Sequence, residues 1–452
     1  MPNREPLGVW LNSTKVAVFS EKASKIRCRY LFENLPNIDL FSPVLSFSLP
    51  LRHGLLDATN FATGLLPEGE HRRAMADLAG VVSRDTFGLL ARFGRDVAGA
   101  LIIGYESPDH KKGSAIPYTP QGLSDEVAGL AERPLALYND SELSLPGLQD
   151  KLLLIQMPSG QWARPVHGQP STHILKVDDS RHPGLVAAEA DCLRIANALG
   201  LTTIEPEILE LGGITCLLVE RFDRTIENGH VVRIHQEDAC QALDRNPEAN
   251  GGLGKYERGG GPTLREIAGL LERWSVDSLN QRERLLQVAT LNVVVGNADA
   301  HGKNLALLHP IFTEVELAPL YDVVPTVLWP NLRTDMAMSV NGRLNVNSIS
   351  ASDLVAEGLA WHLPESVASQ AVYDTIDAIR DFAQTLESDT GVRESVIART
   401  DSIVRTKTTI TQNTRKSAPT DAQPRQPRGV SVGGQFAPKI NPEATLELTE
   451  DE

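Results

Sequence analysis

Residues 285–295 carry Leu285, Leu286, Val288, Ala289, Leu291, Val293, Val294 and Val295, an apolar density that reads as a buried helix. That helix delivers the chain into Asn297-Ala298-Asp299-Ala300-His301-Gly302-Lys303-Asn304. Residues 305–308 and 314–317 then read as short strands that return the chain to Leu320-Tyr321-Asp322. The spacing of Asp299 and Asn304 is that between the catalytic Asp and the metal-holding Asn of a protein-kinase loop, and Asp322 falls where a second metal-holding carboxylate is needed. Phosphoryl transfer needs one carboxylate to take the proton of the attacking hydroxyl, and oxygen ligands to hold Mg²⁺ against a polyphosphate. Asp299 suits the first role; Asn304 and Asp322 suit the second. The plain alternative for an isolated Asp-x-His is a polar turn, and only the surrounding residues argue against it.

The chain has 452 residues, enough for two or three domains and a large core. A net charge of −15 and a pI near 5.3 argue against strong DNA binding by this chain alone, so a DNA role requires a partner. Cys28, Cys192, Cys216 and Cys240 lack Cys-x-x-Cys spacing, which points to neither a zinc site nor a disulfide framework and fits a reducing cytoplasm. No signal peptide or membrane-spanning run is legible.

Short strand-like runs at residues 7–11, 15–19 and 27–31 open a small mixed unit. Ser83 can cap a helix over residues 84–93, followed by a strand that ends at Gly104. Residues 107–120, rich in Gly, Pro, Lys and Ser, read as a connector. The loop at residues 144–151 runs into a strand over 152–156, and a loop of this kind can place backbone N–H groups over phosphates. A strand over 171–177 carries Lys176, and a helix over 185–199 carries Glu189 and stops at Gly200. Strand Lys followed by helix Glu is the order of the kinase ion pair that orients phosphates. The strand over 214–219 leads to Glu220 and Phe222, at the position of a kinase hinge. From Gln236 the pattern reads as mostly helical, broken by the glycine-rich residues 250–262 around Lys255-Tyr256-Glu257, where glycine implies mobility or close backbone approach. Residues 411–452 have too little apolar content to order a core and read as a disordered tail.

Together these motifs resemble the HipA-type serine/threonine kinases, the toxins of bacterial type II toxin–antitoxin pairs. The resemblance covers residues 55–385. It rests on residues 94–101 (Gly-Arg-Asp-Val-Ala-Gly-Ala-Leu), residues 144–151 (Ser-Leu-Pro-Gly-Leu-Gln-Asp-Lys), residues 172–176, residues 219–224, residues 236–238, Lys255-Tyr256-Glu257 with Gly260-Gly261-Pro262, residues 299–304 and Tyr321-Asp322. It implies an α+β fold: a two-lobed kinase-like core with a small N-terminal subdomain. The units would be 1–110 (N-terminal), 136–225 (N-lobe), 226–400 (mainly helical C-lobe) and 405–452 (tail).

The resemblance further implies Asp299 as catalytic base, with Asn304 and Asp322 as Mg²⁺ ligands. Leu145, Pro146, Gly147, Leu148, Gln149, Asp150, Lys151, Lys176 and His301 would meet ATP, and the backbone at Glu220 and Phe222 would meet adenine. Pro146 departs from the family's more frequent Ala, which stiffens the loop. Ser144 matches the serine whose autophosphorylation ejects the phosphate loop. The implied partners are a HipB-like helix-turn-helix antitoxin, through which DNA is contacted, and a protein substrate, in some members an aminoacyl-tRNA synthetase. Two other readings stay open: a nucleotide-binding pseudokinase or scaffold, and a metal-dependent phosphohydrolase using Asp299, His301 and Asp322.

Overall fold

The chain begins with two tight hairpins, β1 (Leu7–Leu11), β2 (Thr14–Lys22) and β3 (Lys25–Tyr30); β1 is buried throughout, and alternate residues of β3 are buried. The computed structural model describes residues 4–35, 37–108, 113–132, 137–138, 140–142, 144–145, 149–178, 181–310 and 314–413. With β4 (Leu56–Asp57) and β5 (Leu101–Gly104), the opening strands form an antiparallel sheet in the order β4-β3-β2-β1-β5. The helices Thr59–Gly64, Gly69–Ala79 and Thr86–Phe93 help bury Phe19, Phe61, Phe87 and Phe93 in one core with that sheet. The last of these helices is capped by Asp85, which accepts from Gly88 N–H, and so starts later than the expected Ser83 cap.

The expected connector over 107–120 instead supplies β6 (Ser114–Pro117) and leads into the helix Pro120–Ala128. β6 is the edge of a second antiparallel sheet with β7 (Lys151–Gln156), β8 (Trp162–Val166), β9 (His173–Val177), β10 (Glu207–Leu211) and β11 (Ile214–Glu220), ordered β10-β11-β9-β7-β8-β6. An edge strand can be short and polar because only one side is paired, which is why it reads as loop. The helix Leu185–Ala198 packs on β11, and Gly200 turns the chain with φ 69°.

Beyond Glu220 the helices Leu264–Trp274, Ala351–Ala360 and Glu365–Ala383 pack against the apolar helix Ser278–Val295, which is almost wholly buried from Leu285 onward. β12 (Arg224–Glu227) pairs β13 (His230–Arg233), β14 (His235–Asp238) pairs β15 (Ala306–His309), β15 pairs β16 (Glu316–Leu317), and β17 (Asp335–Val340) pairs β18 (Arg343–Asn345). The reading of this region as mostly helical missed β12, β13, β14, β17 and β18, whereas the strands expected over 305–308 and 314–317 are present as β15 and β16. β14 has its partner Leu308 opposite Gln236, so the pairing is invisible locally. The first compact unit, Met1–Arg405, ends within the helix Val392–Asn413. The expected tail therefore begins within a helix, and residues 414–452 lie outside the described residues. Among the described residues no helix is long and apolar enough to cross a membrane.

A buried seam joins the N-terminal unit to the β14–β15 sheet. His235 Nε2–H donates to Leu45 O at 2.9 Å, and its ring lies 5.1 Å from that of His309. His309 Nε2 meets Glu237 Oε1 at 2.9 Å, and Glu237 also accepts from Phe47 N–H and Ser46 Oγ. Burial, reinforced by His309, pushes the His235 pKa down to about 3. The unfolded chain, with His near about 6.5, then binds a proton the folded chain refuses. Stability should be full above pH 6.5 and fall between about 6.5 and 3, at up to about 1.4 kcal/mol per pH unit from this group. Urea denaturation across that range checks it, since His235→Gln should flatten the slope. An equally steep slope in the variant would refute the assignment.

Candidate active site

The helix Ser278–Val295 ends at Gly296 in the left-handed conformation (φ 78°), where an added Cβ would stand 2.3 Å from Val327 Cγ2. Asn297 follows, holding Asn292 Oδ1 at 2.9 Å through its Nδ2 and accepting Asp299 N–H at 3.1 Å through its Oδ1. The loop closes when Asn304 Nδ2 donates to Asp299 O at 3.2 Å. Asp299 and Asn304 are thereby held by each other and by the end of the helix.

Asp299 opens to solvent on one side while protein crowds the other. That burial pushes its pKa up, and the hydrogen bond from Tyr256 Oη (2.7 Å) and the charge of Lys255 oppose the push. Asp322 sits at φ 56°, a left-handed conformation that Asp tolerates better than most residues. Its Oδ1 accepts from Lys176 Nζ at 2.7 Å, and the same ammonium donates to Glu189 Oε1 at 2.6 Å. Burial alone would raise Asp322 and lower Lys176; their mutual attraction wins, holding Asp322 well below the carboxylate range and Lys176 above its ordinary value. The strand-Lys to helix-Glu pair expected from the sequence is thus present, on β9 and the helix Leu185–Ala198. Lys151 lies opposite Lys176 across β7 and β9, and burial together with that second cation pushes its pKa down to about 8.

These groups line one cleft of about 410 Å³. It gathers Leu145, Gln149, Lys151, Lys176, Glu220, Phe222, Asp299, His301, Asn304 and Asp322. Phe222 lies at 5.3 Å from the Tyr321 ring, giving the cleft an aromatic side. His301 is buried and neutral, since burial and Lys255 depress its pKa strongly. Two expected residues lie elsewhere: the Asp150 carboxylate meets His71 Nε2 at 2.8 Å, and Ser144 is fully buried with its hydroxyl donating to Leu65 O at 3.3 Å. Pro146, Gly147 and Leu148 lie outside the described residues.

The donor set fits Mg²⁺: Asn304 keeps its side-chain carbonyl and Asp322 its Oδ2, both hard oxygens, and Glu189 Oε2 is buried without a protein partner. The sequence reading assigned no role to Glu68, Asp238 or Lys303, nor one in the cleft to Lys255. Lys255 Nζ meets Glu68 Oε2 at 2.9 Å, and Lys303 Nζ donates to Gly64 O at 2.8 Å and lies 3.3 Å from Asp238. The N-terminal unit therefore contributes to the wall of the cleft.

A strand Lys paired to a helix Glu, above a loop presenting Asp and Asn, defines a two-lobed protein-kinase-like phosphotransferase. Residues 7–104 match the HipA N-terminal domain and residues 143–385 the HipA-like C-terminal domain. The chain belongs to the HipA family and is a serine/threonine kinase of that type. It is 39% identical over 318 residues to a putative kinase, Y4mE, of Sinorhizobium fredii, spanning 68% of this chain and 74% of that one. It is 30% identical over 310 residues to the serine/threonine-protein kinase toxin HipA of Shewanella oneidensis, spanning 66% and 69%. A solved Shewanella oneidensis MR-1 complex of HipA, HipB and operator DNA aligns with a TM-score of 0.71 at 25% identity, covering 87% of this chain and 96% of that one.

Proposed function

We propose that this chain is an ATP- and Mg²⁺-dependent protein kinase acting as the toxin of a type II toxin–antitoxin pair, restrained by its own phosphorylation at Ser144. The observation that carries the reading is the convergence of Lys176–Glu189, Asp299, Asn304 and Asp322 on one cleft. Asp299 takes the acceptor hydroxyl proton. Lys176, fixed by Glu189, orients phosphate oxygens, and Lys151 adds charge beside it. Asn304 and Asp322 would hold Mg²⁺, which when bound neutralises polyphosphate charge. Glu220 and Phe222, which line the same cleft, would meet adenine through their backbone.

The HipA–HipB–DNA neighbour supports a HipB-like antitoxin as partner, with DNA reached through it. Ser144 is held by its N–H on Asp96 O (2.9 Å) and its hydroxyl on Leu65 O, so a phosphate there could not remain in place. Roughly −1.5 to −2 charges added at that buried point would expel the loop and weaken nucleotide binding.

Incubating the pure chain with labelled ATP and Mg²⁺, followed by mass spectrometry, tests the reading. Label on protein at Ser144, with ATP affinity falling as label rises, is expected. Retained ATP without transfer would indicate a scaffold, and free phosphate alone a hydrolase. Phosphorylated Ser144 with undiminished ATP binding would refute the restraint.

A further inference from the structure

A second cleft, of about 790 Å³, meets the first at Asp299 and Lys255 and is walled by Tyr256, Arg258, Arg333 and Asp335. Asp299 thus has the nucleotide cleft on one side and, on the other, an open space lined by charges of both signs that suits a polypeptide carrying the acceptor hydroxyl. Tyr256 stands at this junction.

The turn that carries Tyr256 is fixed from several directions. Lys255 O accepts Gly302 N–H at 3.1 Å, tying the turn to the catalytic loop. Glu257 accepts from Ser339 N–H at 2.5 Å and Ser339 Oγ at 2.9 Å, tying it to β17. The glycines around it serve close approach: a Cβ on Gly254 would stand 1.9 Å from Asn246 O, and one on Gly259 2.0 Å from Leu253 O. The Tyr256 ring lies edge-on to His301, 5.4 Å between centroids, with Arg258 5.7 Å above it. Burial and the neighbouring carboxylate raise the phenol pKa, so Tyr256 remains a donor throughout the physiological range.

We propose that Tyr256 is a positioning residue for the phosphoryl transfer: its hydroxyl holds Asp299 Oδ1, and so leaves Oδ2 as the oxygen that receives the acceptor proton from the second cleft. A carboxylate at the end of a short side chain rotates about its last bond unless one oxygen is held. Releasing it spreads the base over orientations of which only some reach the acceptor, and small misplacements of a base cost large factors in rate. The inference rests on the kinase reading above.

The test is Tyr256→Phe, which keeps the ring against His301 and Arg258 and removes only the hydroxyl. Transfer from labelled ATP to protein is compared with wild type, with rates normalised to the fraction of chain that binds nucleotide. An about 10- to 100-fold loss of kcat, with KM for ATP within about twofold, is expected. A kcat within about twofold of wild type would overturn the proposal, whatever the melting temperature did. A parallel rise in KM for ATP with kcat retained would also overturn it, by making Tyr256 part of nucleotide binding. A wild-type chain that transfers no phosphoryl group would sink the kinase reading and this inference together. Transfer by wild type and variant alike would sink this inference alone.

Discussion

Asp299→Asn should abolish measurable phosphoryl transfer, a loss of about 10²- to 10⁴-fold, while nucleotide affinity stays near wild type. Asn preserves the shape of the side chain and can still meet the Tyr256 hydroxyl 2.7 Å away, and the backbone bonds that set the loop, Asp299 N–H to Asn297 and Asn304 to Asp299 O, do not depend on the carboxylate. What disappears is the proton acceptor. Calorimetric titration of a non-hydrolysable nucleotide alongside a transfer assay separates the two effects. Substantial transfer by Asp299→Asn would remove the residue from its proposed role, and a parallel collapse of affinity would mean that it holds the nucleotide instead.

The largest effect on stability should come from Asp96→Ala. Asp96 is buried at the turn before β5 and accepts from Ser171 N–H (3.0 Å), Ser171 Oγ (2.7 Å) and Arg224 Nη2 (2.9 Å), with Arg221 at 3.6 Å and Arg233 at 3.5 Å. Burial would raise its pKa, and the three guanidinium groups outweigh that and hold it low. Asp223 is the second buried carboxylate of this cluster, accepting from Arg221 and from Gly99 N–H. Removing Asp96 leaves three buried cations against one anion. Breaking one partner out of a buried pair costs about 3–5 kcal/mol, a large fraction of the stability of an ordinary domain. Chemical denaturation should show the loss, and a change below about 1 kcal/mol would mean that water reaches the cluster.

How far the sequence could be read divides along the range of the interactions. The strand Ile214–Glu220, the helix Leu185–Ala198 with its Gly200 stop, and the helix Leu264–Trp274 with its Thr263 cap are set by residues within a few positions of each other, and their periodicity announces them. The gathering of Asp299, Asn304 and Asp322 in one cleft was legible for the same reason: the loop and Asp322 lie within one short stretch. Lys176 and Glu189 were legible as a strand Lys followed by a helix Glu, the order that announces their ion pair. Glu68 was illegible, because its partner Lys255 lies 187 positions away and a lone Glu on a short turn looks like surface. Asp150 was placed at the phosphates by its loop, whereas His71, 79 positions earlier, draws its carboxylate aside. β14 was missed because His-Gln-Glu-Asp carries no apolar residue and its pairing partner β15 lies far along the chain.

The turn around Asp96 also bears on how such a chain can be divided. Arg221 donates to Val97 O, Arg224 to Val97 O and Gly99 O, and Arg233 to Arg95 O and Leu101 O, so the segment before β5 supplies main-chain acceptors as well as the carboxylate. The arginines all lie beyond Glu220, and everything that satisfies them from this turn lies before Ile102. The first hundred residues are consequently not a detachable cassette riding on a self-sufficient enzyme. A fragment of this chain trimmed to the kinase lobes, or a chimera carrying a foreign leading segment, would inherit the cations without their counterparts, so the front end can be exchanged only together with the arginines that grip it.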